Sequence, residues 1–265
     1  MMMRESKSNN SNPVRSVDKA LTVLEALACG DHDVDLATLA RETGLPKSTL
    51  VRLLQTMRLH HVVQQDARTR RYRLGWRLVH LGRAAEEQFD IEALVRPLLQ
   101  ELVQGTGETA SFAVLDGNKA VYRAQALTTS IIRGVPPVGS NLNLHSTAVG
   151  KVLLSSLAGE QFERFVREHG LPRVTERTID NAERLRKELD LVRERGFALD
   201  DQEAEYGGRC IAAPVCDGAG TVVGAVSITG PTSRIRLELV DEYAQTVKRI
   251  AQKASALLRE EEGAS

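Results

Sequence analysis

Ser48, Arg52 and Gln55 are spaced four and three residues apart in the stretch TGLPKSTLVRLLQTM, residues 43 to 57. At about 100° of turn per helical residue, that spacing sets a hydroxyl, a guanidinium and an amide on one face. Leu50, Leu53, Leu54 and Met57 fall on the other side, with Val51 at its margin. Side chains of these polar types read base edges and nearby phosphates, and Lys47 and Thr49 at the helix start suit the sugar-phosphate backbone. Such a wheel also describes an ordinary core helix, so the neighbouring residues decide. Pro46 suits a first helical turn and Gly44 the end of a preceding helix. That helix, DLATLARETG, has Asp35 as its N-cap and offers Leu36, Leu39 and Ala40 to a core. Two helices meeting at a tight corner make a helix-turn-helix.

Downstream, HHVVQQDARTRRYRLGW places two short apolar runs, Val62-Val63 and Tyr72 with Leu74, on either side of a polar turn, the pattern of a hairpin. Arg68, Arg70, Arg71 and Arg73 crowd into six residues, and Asp66 is the only acid from Pro46 to Trp76. Arginines on a hairpin beside a helix-turn-helix suit phosphate contacts and the minor groove, so the pattern is a winged helix with Arg68, Arg70 and Arg71 serving the wing. Upstream, RSVDKALTVLEALACG sets Val17, Leu21, Leu24, Leu27 and Ala28 along one face, with Ser16 as N-cap and Gly30 at the end, which would complete a three-helix core.

Charge divides the chain the same way. Its 265 residues are formally neutral, yet residues 1 to 77 hold 13 basic and 8 acidic groups against 22 and 27 in residues 78 to 265. A part carrying +5 joined to a part carrying −5 suggests that only the first meets a polyanion. The length supports two domains. The polar N-terminus, MMMRESKSNNSNPVRS, has no apolar signal core, and no apolar run approaches a membrane span, so a cytoplasmic location without a membrane partner is expected. Cys29, Cys210 and Cys216 are too few and too unevenly placed for a disulfide framework or a structural zinc. No cofactor is expected. The adjacent His60 and His61 do not share a helix face, which argues against a metal site with Cys29 or His145.

The organisation expected is a disordered arm over residues 1–13, a winged helix-turn-helix over 14–75, a linker helix over 76–89 and a second domain over 90–265. In that second domain ETASFAVLDGNKAVYRAQAL reads as a hairpin around Asp116-Gly117-Asn118, and RCIAAPVCDGAGTVVGAVSITGP as another around Asp217-Gly218 and Gly220. LHSTAVGKVLLSSL, GEQFERFVREHG and NAERLRKELDLVRERG are helical by periodicity, and residues 235–261 form a long terminal helix. Hairpins with intervening helices give an α+β domain on a mainly antiparallel sheet.

The runs RSVDKALTVLEAL, TGLPKSTLVRLLQTM, RRYRLGWRLVHLG, TGETASFAVLDGNKAVY, LHSTAVGKVLL, ELDLVRERGFALDDQEAEYGGRCIAAPV and GAVSITGP, in this order and spacing, resemble the IclR family of bacterial transcriptional regulators from about Val14 to Leu258. The resemblance implies an N-terminal winged helix, a linker helix and a C-terminal GAF-like domain that binds a small effector. It also implies a dimer or tetramer on a palindromic double-stranded operator. Two positions depart from the family: His61 stands where a glycine usually closes the recognition helix, and Asn143 replaces the proline before LH. Histidine tolerates the left-handed conformation better than most residues.

Carried over by position, the family's pocket residues fall on Ala148, Val149, Asp200, Cys210, Ser227 and Thr229, with Asn143 beside them. Ser146 and Thr147 are good N-caps, so the amides of Ala148, Val149 and Gly150 would form an anion site at a helix start. Ser227 and Thr229, two apart in a strand, share a face. Taken singly, strand serines and threonines are usually packing residues and a lone buried cysteine is usually inert. Together they point to a small organic acid or an aromatic compound as effector, with Asp200 either accepting from a ligand hydroxyl or taking up a proton on burial. The competing class is a thiol-type enzyme built on the C-terminal domain, but Cys210 and Cys216 have no evident basic partner beyond Arg209. GAGTVVG lacks the Lys-Ser/Thr of a phosphate loop.

Overall fold

The computed structural model describes residues 14–29, 33–88, 91–131 and 134–263. The 1–13 arm and the Gly30 helix end therefore lie outside the described residues. The chain divides into two compact units, Met1–Phe89 and Asp90–Ser265.

The first unit consists of α1 (Arg15–Cys29), α2 (Leu36–Thr43), α3 (Lys47–Leu59), the strands β1 (Val63–Gln65) and β2 (Tyr72–Leu74), and α4 (Arg77–Gln88). Asp35 caps α2, its carboxylate accepting from the amides of Ala37 at 2.9 Å and Thr38 at 3.0 Å. Gly44 ends α2 in the left-handed region at φ 66°, which turns the chain tightly into α3. Pro46 stands at the N-cap of α3, one position before the first turn. β1 and β2 pair antiparallel, Val63 opposite Leu74, and an isolated bridge from Val34 to Tyr72 joins the hairpin root to the segment before α2.

Leu39, Leu50, Leu54, Met57 and Val63 form the core with Val23 and Leu27 of α1. The face expected of α1 is thus only partly right. Val17, Leu21 and Ala28 are exposed, and α1 meets α2 and α3 through Ala20, Val23, Leu24 and Leu27, the stripe one residue round the wheel. Ser16 lies inside the helix, not at its cap.

The second unit begins with α5 (Ile91–Thr106), which contains Pro97, and then forms β3 (Thr109–Asp116), β4 (Lys119–Ala126) and β5 (Asn141–Asn143). The helices α6 (Ala148–Ser155), α7 (Gly159–His169) and α8 (Ala182–Arg195) follow, then β6 (Ala198–Asp201), β7 (Gly208–Cys216) and β8 (Val222–Pro231), and last α9 (Val240–Gly263). The terminal helix starts at Val240, later than periodicity suggested, because Leu237–Leu239 turn as a short 3₁₀ segment. The six strands form one sheet in the order β5-β4-β3-β8-β7-β6, and every pair is antiparallel.

Alternation along the strands gives the sheet two apolar faces. Phe112, Ile211, Val226 and Ile228 pack with Val95 and Leu99 of α5 and Val247 and Ile250 of α9. Ala113, Tyr122, Ala212 and Ala225 point the other way, towards Ala148, Val149 and Val152 of α6, Phe162 and Phe165 of α7 and Leu185 and Leu189 of α8. Small residues on that face let α6 lie close. Gly150 serves another close approach, to the connection between β5 and α6, since a Cβ there would overlap the backbone of Leu144.

Candidate nucleic-acid interface and ligand cavity

In α3 the residues that bury are Leu50, Leu54 and Met57, so the opposite face is open. Lys47, Ser48, Arg52 and Gln55 are exposed and Thr49 is half-buried. The helix ends at His60, and His61 takes φ 57° in the position where a glycine was anticipated. The wing turn is organised by its single acid. Asp66 accepts at Oδ1 from the amides of Arg68 at 3.0 Å and Thr69 at 2.6 Å and from the Thr69 hydroxyl at 2.9 Å, bonds to Thr69 that hold its carboxyl below its ordinary 3.8. This folding leaves the side chains of Arg68, Arg70 and Arg71 exposed at the tip. Arg73, by contrast, is turned back, its Nε donating to Gln64 at 3.3 Å and its Nη1 lying 4.0 Å from Asp33.

In the second unit, strand register assembles residues that are far apart in sequence. Asp200 pairs with Cys210 across β6 and β7, and Cys210 with Thr229 across β7 and β8, which sets the three in one row. That row forms one wall of a cavity of about 230 Å³ that Asn143 of β5 also lines. Tyr122, Asn141, Ser146, Thr147, Glu205 and Arg209 complete the polar part of the lining. Three of the anticipated residues do not line it. Ala148 and Val149 have their side chains in the core beneath α6, and Ser227, wholly buried, sits opposite Ser111 of the neighbouring strand β3, 3.5 Å from its carbonyl. Of the helix-start amides, that of Gly150 is already engaged by the Thr147 hydroxyl at 3.1 Å, and Thr147, not Ser146, is the cap.

Apart from the exposed carboxylate of Glu205, the cavity's polar groups are neutral or already engaged. Lys119 Nζ donates to Asn143 Oδ1 at 2.8 Å, and the amide nitrogen of Asn143 has no partner among the described residues. The Ser146 hydroxyl is buried without a partner among the described residues. Asp200 Oδ1 accepts from the amides of Glu203 at 2.7 Å and Ala204 at 3.3 Å, yet burial outweighs these bonds and the nearby Lys151 and raises its carboxyl to about 7. Arg209 is committed to Asp201 at 2.9 Å through Nε and to the Ile235 carbonyl through Nη1. Lys151, which no sequence pattern singles out, is wholly buried in α6 with Nζ 2.5 Å from Glu203 and 3.7 Å from Glu188.

Cys210 is not a nucleophile. Its Sγ accepts from the Thr229 hydroxyl at 3.1 Å, and burial pushes the thiol up to about 12, so almost no thiolate exists at neutral pH. Cys216 is likewise raised by burial. Among the described residues no group of three His, Cys, Asp or Glu is placed to hold a metal, and no helix is long and apolar enough to cross a membrane.

Known proteins agree with this division. Residues 16–67 match the IclR helix-turn-helix domain and residues 84–256 match the family described as Bacterial transcriptional regulator IclR C-terminal. The chain is 33% identical over 244 residues to the transcriptional repressor IclR of Escherichia coli, covering 91% of this chain and 89% of that protein. It is equally similar, 33% over 244 residues with the same coverage, to the acetate operon repressor of Salmonella typhimurium. Among solved structures, Thermotoga maritima IclR aligns with a TM-score of 0.62 at 27% identity, over 93% of this chain and 99% of that one.

Proposed function

The chain belongs to the IclR family of bacterial transcriptional regulators, and we propose that it controls a metabolic operon by binding a palindromic operator as a dimer and a small organic acid as effector. It is a DNA-binding regulator and not an enzyme, as its relatives are. Ser48, Arg52 and Gln55 meet base edges or adjacent phosphates, Lys47 and Thr49 hold the backbone at the start of α3, and Arg68, Arg70 and Arg71 serve the wing. Control of a metabolic operon is supported by the similarity to the acetate operon repressor of Salmonella typhimurium. Dimerisation through the linker-helix region is supported by Trp76, Val79 and Leu81, apolar residues left exposed in the single chain, and a second pairing would give a tetramer.

The observation that carries the effector reading is the cavity wall of Asn143, Asp200, Cys210 and Thr229, with the partnerless Ser146 hydroxyl at its edge. A carboxylate suits donors that are neutral and fixed: the Asn143 amide and the Ser146 hydroxyl. A protonated Asp200 adds another donor in place of a repulsive charge. Calorimetric titration of the full chain with small carboxylic acids and their primary amides tests this. The acids are expected to bind, and Asn143→Ala to weaken them. Binding by the amides alone would overturn the acid reading and favour an uncharged, aromatic effector.

A further inference from the structure

The root of the wing is fixed by packing, through Val63, Tyr72 and the bridge to Val34. Its tip is not. Between α3 and the hairpin lies an open groove of about 880 Å³, lined by Leu59 and Val63 as well as Gln55, Arg58 and Gln65, and none of the tip arginines Arg68, Arg70 and Arg71 lines it. One side chain spans it. Gln65, the last residue of β1, accepts from Arg58 Nη1 at 2.8 Å and donates from Nε2 to the carbonyl of Arg70 at 2.9 Å. Arg58 belongs to the last turn of α3, and Arg70 sits at the tip with φ 61°, a left-handed conformation that a non-glycine residue keeps only where its surroundings hold it.

We propose that Arg58 and Gln65 are positioning residues for operator recognition, a tie that fixes the wing arginines at one distance from the recognition helix. The two elements meet different parts of the duplex, the helix in the major groove and the wing on the phosphates or the minor groove, so their spacing decides whether both engage at once. Each bond of the tie, taken as an ordinary net hydrogen bond, shifts the equilibrium between a held and a released wing about two- to tenfold. Gln65 itself needs no contact with DNA for its loss to be felt there. Arg58 acts through Gln65, in contrast to Arg52, whose side chain faces outward from the middle of the helix.

The test uses the full chain and a duplex selected by it from a randomised pool, with the dissociation constant measured across a series of KCl concentrations. Gln65→Ala is expected to weaken binding roughly three- to tenfold and to flatten the dependence of log K on log salt by about one to three, because wing arginines leave their phosphates. That flattening by a substitution that removes no charge is what a residue serving only fold stability would not produce. Arg58→Ala should match it, and the double variant should be no worse than either single one. Gln65→Asn, a methylene too short to span both partners, should reproduce the loss while keeping an amide in the strand. An unchanged salt slope in Gln65→Ala and Gln65→Asn overturns the proposal. Additive losses in the double variant also overturn it, by giving Arg58 a phosphate of its own.

Discussion

Asp200→Asn should make the chain more stable than wild type at pH 8 and change it much less at pH 5. The carboxyl is buried beside Cys210 and Tyr122, with Lys151, Glu203, Glu205 and Arg209 as the nearby charged groups, and burial raises it to about 7 from an ordinary 3.8. A group whose folded-state value is raised binds its proton more tightly in the folded chain. For a carboxyl this means that stability is full below 3.8 and is lost as pH rises towards 7. Applied to those two values, linkage gives a wild-type loss of about 2.5 kcal/mol between pH 5 and pH 8 from this one group. That corresponds to roughly 5 to 10 °C in unfolding temperature for a unit of this size. Asparagine keeps the carbonyl that accepts from Glu203 and Ala204 and never ionises, so the gap between variant and wild type isolates the term. Thermal unfolding followed by circular dichroism at the two pH values reads it. Parallel pH dependence in the two proteins would refute the reasoning and leave an ionised carboxylate facing the effector.

Arg52→Ala should weaken binding to a selected operator by about 1 to 3 kcal/mol if the guanidinium reads a base, and equal losses on selected and random duplexes would reassign it to a phosphate. Cys210 should resist iodoacetamide in the native protein at pH 8 and react after unfolding, because its thiol is buried and raised to about 12; stoichiometric labelling of the native chain would contradict that assignment. Gly150→Ala should cost about 1 to 3 kcal/mol, since its Cβ would overlap the Leu144 backbone, and an unchanged unfolding midpoint would show that α6 packs less closely than described.

Local signals were legible in the sequence and long-range ones were not. The cap at Asp35, the left-handed turn at Gly44 and the exposed face of Ser48, Arg52 and Gln55 each follow from a few adjacent residues, whereas the left-handed His61 follows only from the family's glycine at that position. The face of α1 was misjudged because two apolar stripes run side by side along it, and only the position of α2 and α3 decides between Val17-Leu21 and Val23-Leu27. Ser227 and Thr229 share a strand face, but position along the strand separates them: Thr229 reaches the cavity and Ser227, two residues further back, is wholly buried in the sheet's interior. Lys151 was invisible because its partners are 37 and 52 residues away, in α8 and the loop after β6, and a lysine among apolar helix residues looks like one whose head reaches solvent. The relay through Gln65 was hidden for the same reason, since glutamines in a short polar strand carry no signature of what they bond.

The central claim is that one molecule binds DNA with its first unit and an organic acid with its second, and that the two are energetically linked. By linkage, an acid that alters operator affinity must bind the free and operator-bound forms unequally and by the same factor. The decisive measurement is operator affinity by fluorescence anisotropy, with and without a saturating acid found by calorimetry, alongside the acid's own affinity with and without operator. The account predicts equal ratios differing from one, and their collapse towards one in Asn143→Ala at the same acid concentration. Operator binding indifferent to every acid that occupies the cavity would contradict it.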